Sequence, residues 1–349
     1  MDTTRPTTMA HVFMLETDQP IVGLADICSY NLYFGWYLGE PEQNNAFFDE
    51  YHRKYPDRII GFSEYGADAN IRFQTANPQR GDYSEQYQTI YHEHLLQCIS
   101  ERPYLWATHV WNMFDFAADG RDEGGAHGRN QKGLVSFDRR TKKDAFYLYK
   151  AAWNKEEPFV HLCGSRYTDR TEDETEIKVY SNQPQVTLLV DGTEYGTQTA
   201  EGIFRFPLKI SGEHHIRAIV RTAEGGEEKI LCADEIRIRK VTEPNPDYIF
   251  QKQSVINWFD AEDFQTDCFS VRDTFGEVMA HPQASLILKS IMEKARASRG
   301  DVAASTAGNE NLAKMMAGMT IESLLKQAGE AVGAEQVRAV NAALQKIKK

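Results

Sequence analysis

Over the first 156 or so residues short apolar runs alternate with amphipathic segments, and from about Pro158 this rhythm gives way to strands of period two. One chain that changes period in this way needs two architectures. Strand–helix alternation builds a parallel sheet, whereas serial short strands separated by turns build an antiparallel sandwich. Four runs read as strands: MAHVFML (9–15), ADICSYNLYF (25–34), RIIGFSEYG (58–66) and YLWATHVWNMF (104–114). Between the second and third, Phe47, Phe48 and Tyr51 recur at helical spacing until Pro56 stops the pattern. Between the third and fourth, Tyr87, Ile90, Tyr91, Leu95 and Cys98 are placed on one helix face.

Beyond Pro158, TEIKVYS, QVTLLVDG, IFRFPLK, HHIRAIVRTA and KILCADEIRIRKV are strands separated by Gly, Pro, Asn and Asp turns, the spacing of an immunoglobulin-like β-sandwich without its Cys…Trp…Cys framework. VTEPNPDYIF is a Pro-bounded linker, and the Ala-, Leu- and Met-rich remainder reads as short amphipathic helices. The expected fold class is multidomain α/β plus all-β. It has an α/β region at 1–156, a sandwich at 157–242, a linker at 243–268 and a helical region at 269–349.

The formal net charge of −12 argues against a phosphate-neutralising surface, so no nucleic-acid partner is expected. No apolar run approaches the roughly 18 residues of a membrane span, and the start MDTTRPTTMAHV lacks a signal peptide's charged and apolar regions. A soluble chain with no membrane partner is the expectation, its location left unknown with the cytoplasm favoured. Cys28, Cys98, Cys163, Cys232 and Cys268 are scattered, without a CxxC, and are read as structural thiols.

A complete eight-stranded α/β barrel takes about 250 residues, so four strands in 156 residues correspond to half of one. No Gly-rich phosphate loop follows any of the strands. Polar and aromatic groups cluster at the strand ends instead: Asn31 and Tyr33 after the second, Glu64 and Tyr65 after the third, Trp111 and Asn112 after the fourth. In barrels the C-terminal strand ends carry the catalytic groups. Glu64 ends the apolar run Ile59-Ile60-Gly61-Phe62 just before Gly66, which reads either as a carboxylate at the mouth of such a cleft or as an exposed acidic residue that begins a loop, and Trp111 reads equally as a cleft aromatic or as one that closes a core.

The segments DICSYNLYFGWY, RIIGFSEYGAD, THVWNMFDFAADGRDEGG and GRNQKGLVSFDRRTKKDAFYLYKAAWN, in this order and spacing, resemble glycoside hydrolase family 2, the β-galactosidase and β-glucuronidase family. The resemblance covers residues 1 to about 156, and the following sandwich is similar to the immunoglobulin-like domain that succeeds the barrel there. It implies that Glu64 is the nucleophile of a retaining glycosidase and that Tyr33 donates a hydrogen bond to it. It further implies that Asn31 and Trp111 lie near a carbohydrate substrate, the latter as an aromatic platform. Asn130 and Lys132 match a loop that reaches sugar hydroxyls or, in glucuronidases, a sugar carboxylate.

The family's acid/base glutamate follows an asparagine on a strand upstream of the one MAHVFML resembles. The chain's Asn309-Glu310 pair opens an amphipathic segment with no apolar strand before it and is read as a helix cap. Glu16, at the end of the first strand, is not taken as a substitute. The expectation is therefore the C-terminal portion of a β-galactosidase-like hydrolase of terminal β-linked sugars, with little turnover alone. Its partner would be a missing N-terminal half of the same enzyme, and its open strand edges favour association, including homo-oligomers. A β-glucuronidase fragment and a non-catalytic carbohydrate-binding or assembly module are the alternatives. No metal or cofactor is assigned. His92 and His94 diverge on a helix, Asp119, Asp122 and Glu123 sit in what reads as a solvated loop, and Arg299-Gly300-Asp301 is too short a match to carry meaning. His214 and His215 read as one inward and one outward strand residue.

Overall fold

Four short parallel strands follow one another in chain order: β1 (Thr8–Val12), β2 (Ile27–Asn31), β3 (Ile59–Tyr65) and β4 (Leu105–Val110). Their helices are α1 (Glu42–Lys54), α2 (Glu85–Ser100) and α3 (Asp144–Trp153). The computed structural model describes residues 4–349 except 14, 38, 225–226, 251–263, 266, 300–315, 318 and 328–333. The Asn309-Glu310 pair, the end of the Arg-Gly-Asp tripeptide, most of the Met-rich 311–319 stretch and the Asp122 side chain lie outside the described residues. The chain divides into two units, one of residues 1–13 and 19–252, the other of 14–18 and 253–349, so Glu16 belongs to the second.

Helix α2 starts where Ser84 accepts the Tyr87 N–H at 3.1 Å, a side-chain cap for an otherwise orphaned donor. Its buried face runs through Tyr87, Tyr91, Leu95 and Cys98 as expected, but Ile90 is 43% exposed and Gln88 and His92 take its place. A polar residue can occupy such a face when it finds a buried partner. Gln88 donates to the Ala67 carbonyl at 2.8 Å, and His92 Nδ1 lies 2.9 Å from the Tyr149 hydroxyl. Gly61 lets β3 and β4 approach closely, because a Cβ there would stand 2.3 Å from the Ala107 carbonyl oxygen.

The stretch read as a solvated acidic loop is a hairpin of β5 (Phe116–Glu123) and β6 (Ala126–Asn130). Gly124 and Gly125 turn it with φ of 59° and 71°, a region that side chains resist. Eight further strands are β7 (Val160–Leu162), β8 (Asp169–Arg170), β9 (Glu174–Ser181), β10 (Gln185–Val190), β11 (Thr193–Thr199), β12 (Ile203–Lys209), β13 (Glu213–Glu224) and β14 (Glu227–Lys240). They form a five-stranded sheet β11-β10-β13-β14-β8 and a three-stranded sheet β12-β9-β7 around one apolar core that includes Ile177, Val179, Leu188, Phe204, Phe206, Ile216 and Ile238. Strand β12 shows why: Phe204, Phe206 and Leu208 alternate inward, and Pro207 is tolerated because β12 is an edge strand. His214 and His215 are both half-buried rather than split in and out, since Asp191 and Glu235 each hold one ring, at 2.7 and 3.3 Å.

In the second unit α4 (Phe275–Ala280), α5 (Ala284–Arg299), α6 (Ile321–Gln327) and α7 (Ala334–Leu344) bury Val278, Leu288, Ile321, Leu325, Val337 and Leu344 together. A reciprocal Thr274–Glu277 capping box starts α4.

Candidate active site

Strand β3 carries Glu64 out of the apolar sheet, and its neighbour β2 ends in register with it, Asn31 opposite Glu64. The chain then bends, the Leu32 N–H donating to the Glu64 carbonyl at 2.9 Å, and this brings Tyr33 alongside. The Tyr33 hydroxyl donates to Glu64 Oε2 at 2.7 Å. Burial and the adjacent carboxylate push the Tyr33 phenol far above its ordinary range, so it remains a hydrogen-bond donor to Glu64. Asn31 Oδ1 accepts the Ser63 hydroxyl at 2.7 Å, which ties the two strand ends together.

Trp111 follows β4 and donates its backbone N–H to the Tyr65 carbonyl at 2.8 Å. Gly66 is what allows this, since a Cβ there would meet the Trp111 carbonyl oxygen at 2.2 Å. The indole packs edge-on against Phe116 of the hairpin, centroids 5.8 Å apart. The next residue, Asn112, donates its N–H to the Lys132 carbonyl at 3.2 Å, joining the β4 end to the loop after β6.

Asn130 Oδ1 accepts the Lys132 N–H at 3.0 Å, fixing the turn that buries the lysine to 1% exposure. Its ammonium bonds Asp68 and donates to the Tyr37 hydroxyl at 2.6 Å. It also stands 5.8, 5.6 and 4.5 Å from the ring centres of Tyr33, Trp36 and Tyr37. Tyr33 therefore touches both Glu64 and the surroundings of Lys132. All six residues expected from the sequence are thus linked, Glu64, Tyr33 and Lys132 closely, Asn31, Asn130 and Trp111 through strand ends and backbone.

Sequence reading missed Tyr37, Asp68, Arg121, Asp115 and Lys143. Arg121 bonds the Tyr37 hydroxyl and lies 3.4 Å from Asp68. Lys143 is fully buried and gives its three protons to the Ala69 carbonyl (2.7 Å), the Gln131 carbonyl (2.8 Å) and Asp115 (2.9 Å). Burial pulls Lys143 down and pushes Asp115 up, each opposed by the other's charge. Asp68 had a visible signal, standing four residues after Glu64 in SEYGAD. Lys143 had none, because TKKDAF reads as a solvated run.

Among the described residues Asp144, His161 and Cys163 could offer a metal three ligand atoms within 4.8 Å of one another. His161 Nε2 is 2.9 Å from Asp144 and Nδ1 3.4 Å from Asp234, while Tyr147 stacks on the ring at 3.7 Å. Burial opposes its charge, yet the two carboxylates push the imidazole up to about 9. An imidazolium has no lone pair to give, and Arg166 at 3.6 Å from Asp144 repels a cation, so the cluster is better matched to a proton than to a metal.

No family model matches the chain. A β-glucuronidase of Bacteroides fragilis is 40% identical over 225 residues, 62% of this chain and 32% of that protein. A putative β-glucuronidase of Formosa agariphila is 31% identical over 206 residues, 50% of this chain and 24% of that protein. The chain is related to glycosidases of the β-glucuronidase and β-galactosidase kind. Two solved structures agree. The FMN-binding β-glucuronidase of Faecalibacterium prausnitzii L2-6 superposes with a TM-score of 0.66 at 45% identity, over 71% of this chain and 37% of that one. A putative β-galactosidase of Bacteroides fragilis gives 0.62 at 33% identity, over 69% and 36%. This glycosidase relative spans about a third of the length of the first of these relatives. The mixed α/β architecture matches theirs over the part they share.

Proposed function

We propose that Glu64 is the attacking carboxylate of a retaining glycoside hydrolase of family 2 type that cleaves terminal β-linked sugars. The observation that carries this is the 2.7 Å hydrogen bond from Tyr33 to a carboxylate at the C-terminal end of a parallel strand. On this reading residues 1–156 are half of a barrel, 157–242 an immunoglobulin-like sandwich, 243–268 a linker and 269–349 a helical region. Glu64 forms a bond to the anomeric carbon as the aglycone oxygen leaves, and water later displaces the ester with the anomeric configuration retained. Tyr33 holds the attacking carboxylate in place by its hydrogen bond, Asn31 and Asn130 meet hydroxyls, and the Trp111 face meets the C–H side of the ring. The leaving oxygen needs a proton from a second carboxyl about 5–5.5 Å from the first. We assign that group to polypeptide other than the segments that build this site, so turnover by this chain alone is expected to be slight.

The family's sugars include neutral galactosides and anionic glucuronides. The cluster beside Tyr33 suits a carboxylate-bearing sugar, since two cations, Lys132 and Arg121, converge on Asp68, with Glu123 3.9 Å from Arg121, and Tyr37 is exposed and Arg121 partly so. Both also donate to the Tyr37 oxygen, which leaves its own proton to offer outward.

The test is covalent trapping with 2-deoxy-2-fluoro glucuronyl and galactosyl fluorides, of the chain alone and mixed with the N-terminal part of a matched relative. A mass increase on the peptide holding Glu64, abolished by Glu64→Gln, is expected. An adduct on another residue, or one that survives the substitution, refutes the assignment.

A further inference from the structure

The nucleophile candidate is followed four residues later by a second carboxylate with a different set of partners. Asp68 is 1% exposed, while Glu64 is held by Tyr33. Its Oδ2 accepts from the Lys132 ammonium, and its Oδ1 accepts the Gln131 N–H at 3.0 Å and faces Arg121 at 3.4 Å. Lys132 and Arg121 come from opposite sides of the hairpin loop and, being like charges near one phenol, repel one another unless an anion sits between them. A carboxylate with two oxygens in fixed positions is the group that can hold an ammonium, a guanidinium and a backbone N–H at once. The segment from Glu64 to Ala69 is itself pinned, since the Ala69 N–H donates to the Gln131 carbonyl at 3.0 Å and the Ala69 carbonyl accepts from Lys143.

We infer that Asp68 is a positioning residue that sets sugar preference: it holds the buried Lys132 and the partly exposed Arg121 together behind the exposed Tyr37, so that Arg121 and the Tyr37 hydroxyl meet the carboxylate of an anionic sugar. This rests on the anionic-sugar reading above. Two other roles make opposite predictions. Were Asp68 only a neutralising counter-ion, its removal would free positive charge and tighten anion binding. Were it only structural, charged and neutral ligands would weaken alike.

The experiment has two readouts on the full chain. In the first, 15N-lysine labelling follows the side-chain ammonium signals without ligand, Lys132 being assigned through Lys132→Arg. A slowly exchanging Lys132 signal is expected, lost in Asp68→Asn while the Lys143 signal persists; an unchanged Lys132 signal overturns the inference whatever the chain binds. In the second, calorimetry compares D-glucaro-1,4-lactone, which carries a carboxylate, with neutral D-galactono-1,4-lactone. Asp68→Asn is expected to weaken the charged lactone by about tenfold or more and to leave any neutral binding within about twofold. Tighter binding of the charged lactone, or equal loss of both, overturns the inference. A chain that binds neither lactone but shows the Lys132 change sinks the anionic-sugar reading, and with it the claim on sugar preference, leaving Asp68 as a holder of Lys132 only.

Discussion

His161 gives the first unit a stability that is lost as the pH turns alkaline. The ring lies between Asp144, at the start of α3, and Asp234 on β14, with Arg166, Glu85, Tyr147 and Cys163 completing its surroundings. With the ring charged, three carboxylates face two cations; neutral, they face Arg166 alone. Its folded-state value of about 9 is above the ordinary 6.5, so the stabilisation is fully present below about pH 6.5 and is lost as pH rises through 9. That gap, at about 1.4 kcal/mol per pH unit, comes to about 3 kcal/mol. For a unit of this size it corresponds to roughly 6–12 °C in melting temperature. The perturbation is His161→Gln, which keeps hydrogen-bonding capacity and removes the charge. Urea unfolding at pH 6, 7, 8 and 9, followed by tryptophan fluorescence, should show the variant weaker by about 3 kcal/mol at pH 6 and the two proteins converging by pH 9. Parallel pH dependence in both proteins, or a flat profile in the native chain, would refute the charged-clamp account.

Other expectations follow from the same contacts. Tyr33→Phe removes one bond to a carboxylate, worth about 1.5–3 kcal/mol, so the rate of covalent trapping at Glu64 should fall by about 10- to 100-fold with little change in melting temperature. Lys143→Met strands Asp115 without its buried counter-charge and should cost about 3–5 kcal/mol in urea unfolding, a loss partly relieved by adding Asp115→Asn. Gly66→Ala forces a methyl against the Trp111 backbone and should destabilise by about 1–3 kcal/mol, with a changed Trp111 emission in a chain whose other tryptophans are replaced. Strands β1 and β4 are the two edges of the parallel sheet, and Val12 and Trp106 on them are exposed; light scattering should therefore find the chain associated, and a monodisperse monomer would count against open edges.

Much of this was legible because local pattern and final environment agree. The four parallel strands begin and end within a few residues of the apolar runs, and the alternation of IFRFPLK matches the inward faces of β12. The hairpin after Trp111 was not legible: DGRDEGG has no alternating apolar residues, and its shape comes from two glycines and from Gln131 and Asn70, which donate to the Gly124 carbonyl at 3.1 and 3.0 Å. Strand β11, TEYGTQT, is likewise polar and exists because β10 pairs with it. The buried cations escaped for a related reason. Whether a lysine such as Lys132 or Lys143 is solvated depends on carbonyls and carboxylates distant in sequence, which no local window contains.

The tyrosine that sits between the carboxylate and the buried ammonium has a consequence for redesign. On the proposed function, because one phenol borders both groups, a change at Lys132 made to alter sugar choice would also alter the field at Tyr33 and, through its hydroxyl, the reactivity of Glu64. Selectivity and speed would then be wired to a common part, so variants chosen for a new sugar should be screened for compensating changes around residue 33 from the outset.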